Sequence, residues 1–137
     1  MGRTMGIDYG RKKTGLAVTD PLGLIVNPLD TVETKQLFPY LEQYFTVEKV
    51  DKVVVGEPFM DDGVTPAQHH RAVMDFVRQL RKKFPDLEVD MYDETFSSRE
   101  AREIVYQSVA SRKKRRDKKL VDKVAATLIL QKYLNHI

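Results

Sequence analysis

The 137-residue sequence contains no cysteine. That excludes a disulfide framework and any thiolate metal site. No apolar run approaches the ~20 residues that a membrane-spanning helix needs. A signal-peptide core is missing as well, because Asp8 and a run of basic residues interrupt the first apolar stretch; the expected compartment is the cytoplasm, with no membrane partner. Histidine is scarce, with three in all. His69 and His70 are adjacent and His136 is nearly terminal, so all three read as surface residues. Net charge is also small, +3 overall. With no internal repeat and no linker composition, residues 1–137 read as a single domain of ordinary size.

The distribution of charge says more than its sum. Arg112 to Lys119 holds seven basic residues and one acid, a local charge of +6, so the remainder of the chain carries −3. A mildly acidic body with one dense basic segment points to a localised phosphate contact. No aromatic residue is interleaved in that segment, which argues against base stacking there.

Hydrophobic periodicity sets the element order. Arg3 to Tyr9 reads as a strand with Met5, Ile7 and Tyr9 on one face and Gly6 and Asp8 on the other. Gly10 to Lys13 is a tight turn, and Thr14 to Thr19 its hairpin partner. Leu24 to Val32 is a third extended stretch, which Pro28 assigns to a sheet edge or an interruption. Leu37, Leu41, Tyr44 and Phe45 fall at helical spacing, with Thr34 a candidate cap and Pro39 tolerable only in a first turn. Val50 to Gly56 is β-branched and nearly continuous, as in a buried parallel strand. Thr65-Pro66-Ala67-Gln68 has the form of a capping box with proline at the first helical position. It precedes a stripe of Val73, Phe76, Val77, Leu80 and Phe84 that Pro85 stops.

Leu87 to Tyr92 is a further strand. Ser97 to Glu100 is a second capping box, opening a helix with Ala101, Ile104 and Val105 inward. Leu120 to Leu134 is a last helix with Val121, Val124, Ala125 and Leu128 as its apolar stripe. The fold class is therefore α/β: a five-stranded mixed sheet, antiparallel in its first three strands and parallel thereafter, flanked by helices. If the crossover returns beside the first strand, the C-terminal ends of strands one, four and five are neighbours.

Those ends read Asp8, Glu57 and Asp93-Glu94, and Asp122 near the start of the last helix could fold over the same edge. Singly, each acid has a plain structural role: Asp8 caps a turn, Glu57 and Asp93 end strands in solvent, Glu94 caps a helix, and Asp122 complements a helix dipole. Together, carboxylates from separate elements on one edge repel unless a cation lies between them. All-oxygen donors suit Mg²⁺ or Mn²⁺. Two such ions can activate water and stabilise a leaving oxygen in phosphodiester cleavage. Asp61, Asp62, Asp86 and Asp90 read as solvated acids.

The sequence resembles the YqgF/RuvX family, pre-16S rRNA nucleases related to Holliday-junction resolvases with an RNase H-like fold. The resemblance is carried by Gly6-Ile7-Asp8-Tyr9-Gly10, Lys12-Lys13, Gly15-Leu16-Ala17-Val18 and Asp20. Further along it is carried by Val54-Val55-Gly56, Pro58, Met60-Asp61, Gly63, Asp93-Glu94-Thr95-Phe96-Ser97-Ser98 and Val121-Asp122 with Ala125-Ala126. It implies a metal-dependent nuclease acting on structured nucleic acid, with Asp8, Glu94 and Asp122 as catalytic metal ligands. The expected partners are precursor rRNA or branched DNA, and ribosomal precursor particles. Two positions depart from the family's pattern. Thr95 stands where many relatives carry arginine. Glu57 stands where many carry an aliphatic residue, close to the strand end that bears a glutamate in the junction resolvases. Glu57 is therefore a candidate auxiliary or substitute ligand, and Glu94 the principal one.

Arg112, Lys113, Lys114, Arg115 and Arg116 would deliver phosphates to the acid edge, and Arg11, Lys12 and Lys13 beside Asp8 would steady the same strand. Each group is equally a solvated loop. Three other functions share these features: a DNA junction resolvase, a sugar-kinase-like phosphotransferase, for which the chain is short, and a non-catalytic nucleic-acid-binding assembly factor.

Overall fold

The computed structural model describes residues 2–60, 62–95, 100, 101, 103, 104 and 118–136. Three strands come first: β1 (Arg3–Asp8), β2 (Lys13–Thr19) and β3 (Val26–Glu33). A 3₁₀ turn at Thr34–Gln36 leads into α1 (Leu37–Val47), followed by β4 (Val50–Glu57), α2 (His70–Lys83) and β5 (Glu88–Asp93). Residues 100, 101, 103 and 104 are helical, and α3 (Lys118–Tyr133) follows. The five strands lie in the order β3-β2-β1-β4-β5. β1–β2 and β2–β3 are antiparallel, and β1–β4 and β4–β5 parallel. This is the expected mixed sheet, with the C-terminal ends of β1, β4 and β5 side by side. β3 is an edge strand, where Pro28 costs no ladder bond.

Strand alternation divides the sheet into two faces. Met5 pairs with Val53 and Ile7 with Val55, while Leu16 lies opposite Ile7. These side chains are buried under Leu37 and Leu41 of α1 and Val73, Phe76, Val77 and Leu80 of α2. Fully burying each such side chain contributes about 1.5–3 kcal/mol, so this face is the main source of stability. The opposite face carries Gly6, Ala17 and Val54, and α3 covers it with Ala126, Ile129 and Leu130. Residues 122, 126, 129, 130 and 133 share one helical stripe.

The apolar stripe expected for this helix is its other side. Ala125 and Leu128, with Val121 and Val124, pack around the buried Ala101. The helix is thus covered on two sides, and one apolar stripe read from sequence accounts for only one of them. At its far end Tyr133 accepts a hydrogen bond from Lys52 Nζ at 2.9 Å and donates one to Asp90 Oδ2 at 2.7 Å. Asp90 is therefore exposed, as expected, but lies in a strand and anchors α3.

Both helix starts differ from expectation. The Thr34 hydroxyl donates to Gly10 O at 2.6 Å, tying the β1–β2 turn down, and does not cap α1. The Thr65 amide and hydroxyl both donate to the Asp62 carboxylate, and Pro66 bridges to Phe59. Thr65 does not cap a helix, because α2 begins only at His70, with His69 in the cap position. Ile104, expected inward, is 40% exposed. Asp61, Ser97, Val105 and the basic residues Arg112, Lys113, Lys114, Arg115 and Arg116 lie outside the described residues. Among the described residues no helix is long and apolar enough to cross a membrane.

Candidate active site

The face under α3 carries the acids. Asp8 is the last residue of β1 and is half-buried. Glu94 follows β5 directly, and its backbone N–H donates to Glu57 O at 3.1 Å, which extends the β4–β5 pairing by one residue. By alternation its side chain falls on the α3 face, where it is 8% exposed. Gly56 makes the space for it: a Cβ there would lie 2.9 Å from Glu94 Oε2 and 2.8 Å from Ile129 Cδ1.

Burial, before any other cause, raises the Glu94 carboxyl far above the usual carboxylate range. The negative charge of Asp8, a hydrogen bond to the Asp8 side chain and the charge of Asp93 act in the same direction. The Glu94 and Asp8 carboxyls are therefore coupled, and ionisation of one opposes ionisation of the other. Two acids pressed together in a buried position hold one proton between them.

Asp122 reaches the same face from α3. The helix crosses β2 so closely that a Cβ on Gly15 would lie 2.0 Å from Asp122 O. Gly15 is the ladder partner of Asp8. Asp122 thus stands over the strand pair that carries Asp8, with its Oδ2 buried. It lies beyond the first turn of α3, so complementing the helix dipole does not explain it.

The donor set of Asp8, Glu94 and Asp122 is all oxygen, and two of its carboxyls lie against each other in a covered position; both features fit a hard divalent cation. Among the described residues no three such side chains are already close enough to form a metal cluster. The arrangement is a carboxyl pair in contact, with a third acid on the covering helix.

Glu57 ends on the other face. Its Oε2 accepts a hydrogen bond from His70 Nε2 at 2.9 Å, with both side chains largely covered. The histidine pair is accordingly not the surface feature expected. Because α2 starts at His70, its first turn rests on the ends of β4 and β1. His69 is half-buried there, and burial lowers its pKa, opposed by the charge of Asp8 and reinforced by Arg11 and His70. His136 is exposed, as expected. Asp93 is exposed and accepts a hydrogen bond from the Thr95 backbone at 2.8 Å, so it shapes the turn after β5. Arg11 and Lys12 are exposed on the turn beyond Asp8, and Lys13 is half-buried at the start of β2.

Two features escape a reading by residue type: the glycines that admit Glu94 and α3, and the His70 partner of Glu57. Gly15 and Gly56 are visible in the sequence as small residues in strands, but only the strand register places them against acids.

A family profile described as "RuvX: Holliday junction resolvase" matches residues 2–136. A "Putative pre-16S rRNA nuclease" of Christiangramia forsetii is 46% identical over 135 residues, covering 98% of both chains. A protein of the same name from Chlorobium luteolum is 47% identical over 134 residues, covering 97% of this chain and 94% of that one. Among solved structures, Thermus thermophilus RuvC in complex with a Holliday junction substrate superposes with a TM-score of 0.60 at 18% identity, over 99% of this chain and 96% of that one. At that identity the likeness concerns the fold, which is the RNase H-like one expected.

Proposed function

The chain belongs to the RuvX family, and we propose that it is a divalent-metal-dependent nuclease that processes the 5′ end of precursor 16S rRNA in the cytoplasm. The observation that carries this reading is the buried Glu94–Asp8 carboxyl pair beside Asp122, at the edge where three strands end. The substrate comes from the name that relatives about 46% identical over nearly the full chain bear.

Asp8, Glu94 and Asp122 would hold Mg²⁺ or Mn²⁺, which supplies Lewis-acid activation of water and stabilisation of the leaving oxygen. The chain's own part is to assemble three negative charges where none can easily stand alone. Glu94 must give up its proton as the ligand set forms, so its buried, proton-trapping position couples metal affinity to pH. Gly15 and Gly56 let the third acid and the glutamate approach the strand ends. Glu57, held by His70 on the opposite face, has the role of an auxiliary acid.

Arg11, Lys12 and Lys13 hold phosphates beside Asp8, and Arg112, Lys113, Lys114, Arg115 and Arg116 do so ahead of Asp122. The overall reaction adds water across one phosphodiester, leaving a phosphate monoester and a free hydroxyl. The family's description as a Holliday junction resolvase makes a four-way DNA junction the second candidate substrate.

Purified protein incubated with precursor 16S rRNA and with a four-way DNA junction, each with Mg²⁺, Mn²⁺ or EDTA, tests the reading. The expected result is metal-dependent cleavage of the RNA that Asp8→Asn abolishes. Cleavage of the junction alone would reassign the substrate. Tight binding with no cleavage in any metal would make the protein an assembly factor.

A further inference from the structure

Asp8 and Tyr9 are consecutive and face opposite sides of the sheet. Where Asp8 meets the acids, Tyr9 opens onto a hollow of about 490 Å³ between the start of α1 and the first half of α2. That volume lies within the ~300–1,000 Å³ of ordinary ligand sites. Its floor is aromatic. The Tyr9 ring stacks on Phe76 with centroids 4.6 Å apart and planes at 21°, and Phe38 tilts against Phe76 at 5.5 Å. Phe76 is buried, whereas Tyr9 and Phe38 pack against the core but remain half-buried, and Lys83 Nζ lies 5.5 Å from the centroid of the Phe38 ring, adding a cation beside the aromatic floor.

The rim is cationic. Arg11 and Lys35 are exposed, and the one ion pair of Lys35 among the described residues is a 3.6 Å contact to the equally exposed Glu33. Contacts of that kind contribute little. The acid in the lining, Asp75, is already engaged by Arg78. Gln79 adds an amide that can both donate and accept. The rim is also fixed in place. The Thr34 hydroxyl donates to Gly10 O at 2.6 Å and the Thr34 N–H to Lys12 O at 2.8 Å. The segment bearing Lys35 is thereby tied to the turn bearing Arg11.

We propose that this hollow is a subsite for one unpaired nucleotide of the RNA substrate near the scissile phosphate. The base lies against Tyr9 and Phe38, Gln79 meets its edge, and a flanking phosphate sits between Arg11 and Lys35. The proposal rests on the nuclease reading above and deepens it. Aromatic surface beside cations is what single-stranded RNA requires, because unstacked bases find a new stacking partner while the backbone charge is met. A base inside a duplex is already stacked and cannot enter a recess. The basic segment 112–119 has no aromatic residue, so stacking must be supplied elsewhere, and the floor of this hollow begins at Tyr9, the residue after Asp8. Specificity for a local single-stranded bulge or end within structured RNA follows.

The test uses the full chain and a precursor-rRNA fragment with 2-aminopurine walked through the positions around the cleavage site, in EDTA so that binding is read without turnover. One position is expected to lose its fluorescence on binding. Phe38→Leu should restore that fluorescence and weaken binding about ten-fold, the loss of one stacked base. Phe38→Tyr should keep the quench. Lys35→Gln and Gln79→Ala, exposed positions without packing to lose, should weaken binding of the single strand but not of the fully paired fragment.

Quenching that persists in Phe38→Leu, or at no position in the wild type, overturns the subsite even if the RNA is cut. Equal losses for single-stranded and paired RNA do the same, and would leave the hollow to a peptide partner. If the quench and its loss are seen but no metal supports cleavage, the nucleotide site stands and the nuclease reading falls.

Discussion

The two faces of the sheet are built from the same strands and do opposite things. On the α1/α2 face, Met5, Ile7, Leu16, Val53 and Val55 are large, fully buried and closed over by two amphipathic helices. On the α3 face the intervening positions are Gly6, Asp8, Gly15 and Gly56, with Glu94 one residue past β5. The first face gains stability from packing. The second gives some of that up, since small residues bury little area and the Glu94 carboxyl is taken out of water. In return the backbone of a helix carrying Asp122 comes within reach of Gly15, the ladder partner of Asp8. The period of two along a strand lets one segment serve both purposes without compromise.

The largest effect separating the faces should come from the acids. Asp8→Asn, Glu94→Gln or Asp122→Asn should reduce cleavage to background in single-turnover assays while nucleic-acid binding changes by a few-fold at most. Melting temperature without metal should hold or rise, because each change removes a carboxyl that the fold keeps covered at a desolvation cost. Glu57→Gln, on the opposite face and paired there with His70, should lose far less, and raised Mg²⁺ or Mn²⁺ should partly restore it. Equal losses at Glu57 and Glu94 would mean that the two faces cooperate in ligation.

Packing changes come next. Leu80→Ala should destabilise by about 2–5 kcal/mol in urea titrations yet leave cleavage measurable at low temperature. Gly15→Ala forces a Cβ to within 2.0 Å of helix backbone, so α3 must shift. Its stability cost should be smaller, about 1–3 kcal/mol, while cleavage is lost. A Gly15→Ala protein with normal turnover would show that Asp122 does not act from this position.

A subtler difference lies in pH. The folded-state pKa of Glu94 is raised above its ordinary value near 4.5. Between the two values the folded protein holds a proton that the unfolded chain has released. Stability of the metal-free protein must therefore fall as pH rises from about 4.5 toward the raised value. Thermal melts across this range should show the slope, and Glu94→Gln should flatten it. A wild-type slope unchanged by that substitution would place the trapped proton elsewhere.

The smallest expected effect concerns the basic segment. Replacing Lys113, Lys114, Arg115 and Arg116 with glutamine should flatten the dependence of log affinity on log salt, by roughly 0.7–0.9 for each phosphate no longer neutralised. An unchanged slope would leave the segment as a solvated loop.

Much of this architecture is legible in the sequence because alternation and helical spacing record burial directly. The alternation Met5–Ile7 against Gly6–Asp8 already separates the faces, and Val73, Phe76, Val77 and Leu80 already define the buried side of α2. The strand order follows from connection rules, and Asp8, Glu94 and Asp122 follow from a family resemblance joined to that order. Helix starts are less legible. Thr65 and Thr34 have the chemistry of caps, but their hydroxyls go to Asp62 and Gly10, partners that local patterns do not reveal. The same holds for His69 and His70, which look like surface residues until α2 sets them on the ends of the strands.

Which residues alternate, which are acidic and how many elements there are can be read along the chain, since those are properties of neighbouring positions. Which acids meet cannot. Glu57 and Glu94 end adjacent strands and are equivalent by type and by place along the sheet edge. Their separation to opposite faces depends on the β4–β5 register and on one additional residue of pairing, the Glu94 N–H to Glu57 O bond. A shift of β5 by one residue would turn Glu94 to the face of Glu57 and bring Asp93 to the α3 face, because side-chain direction inverts at every step along a strand.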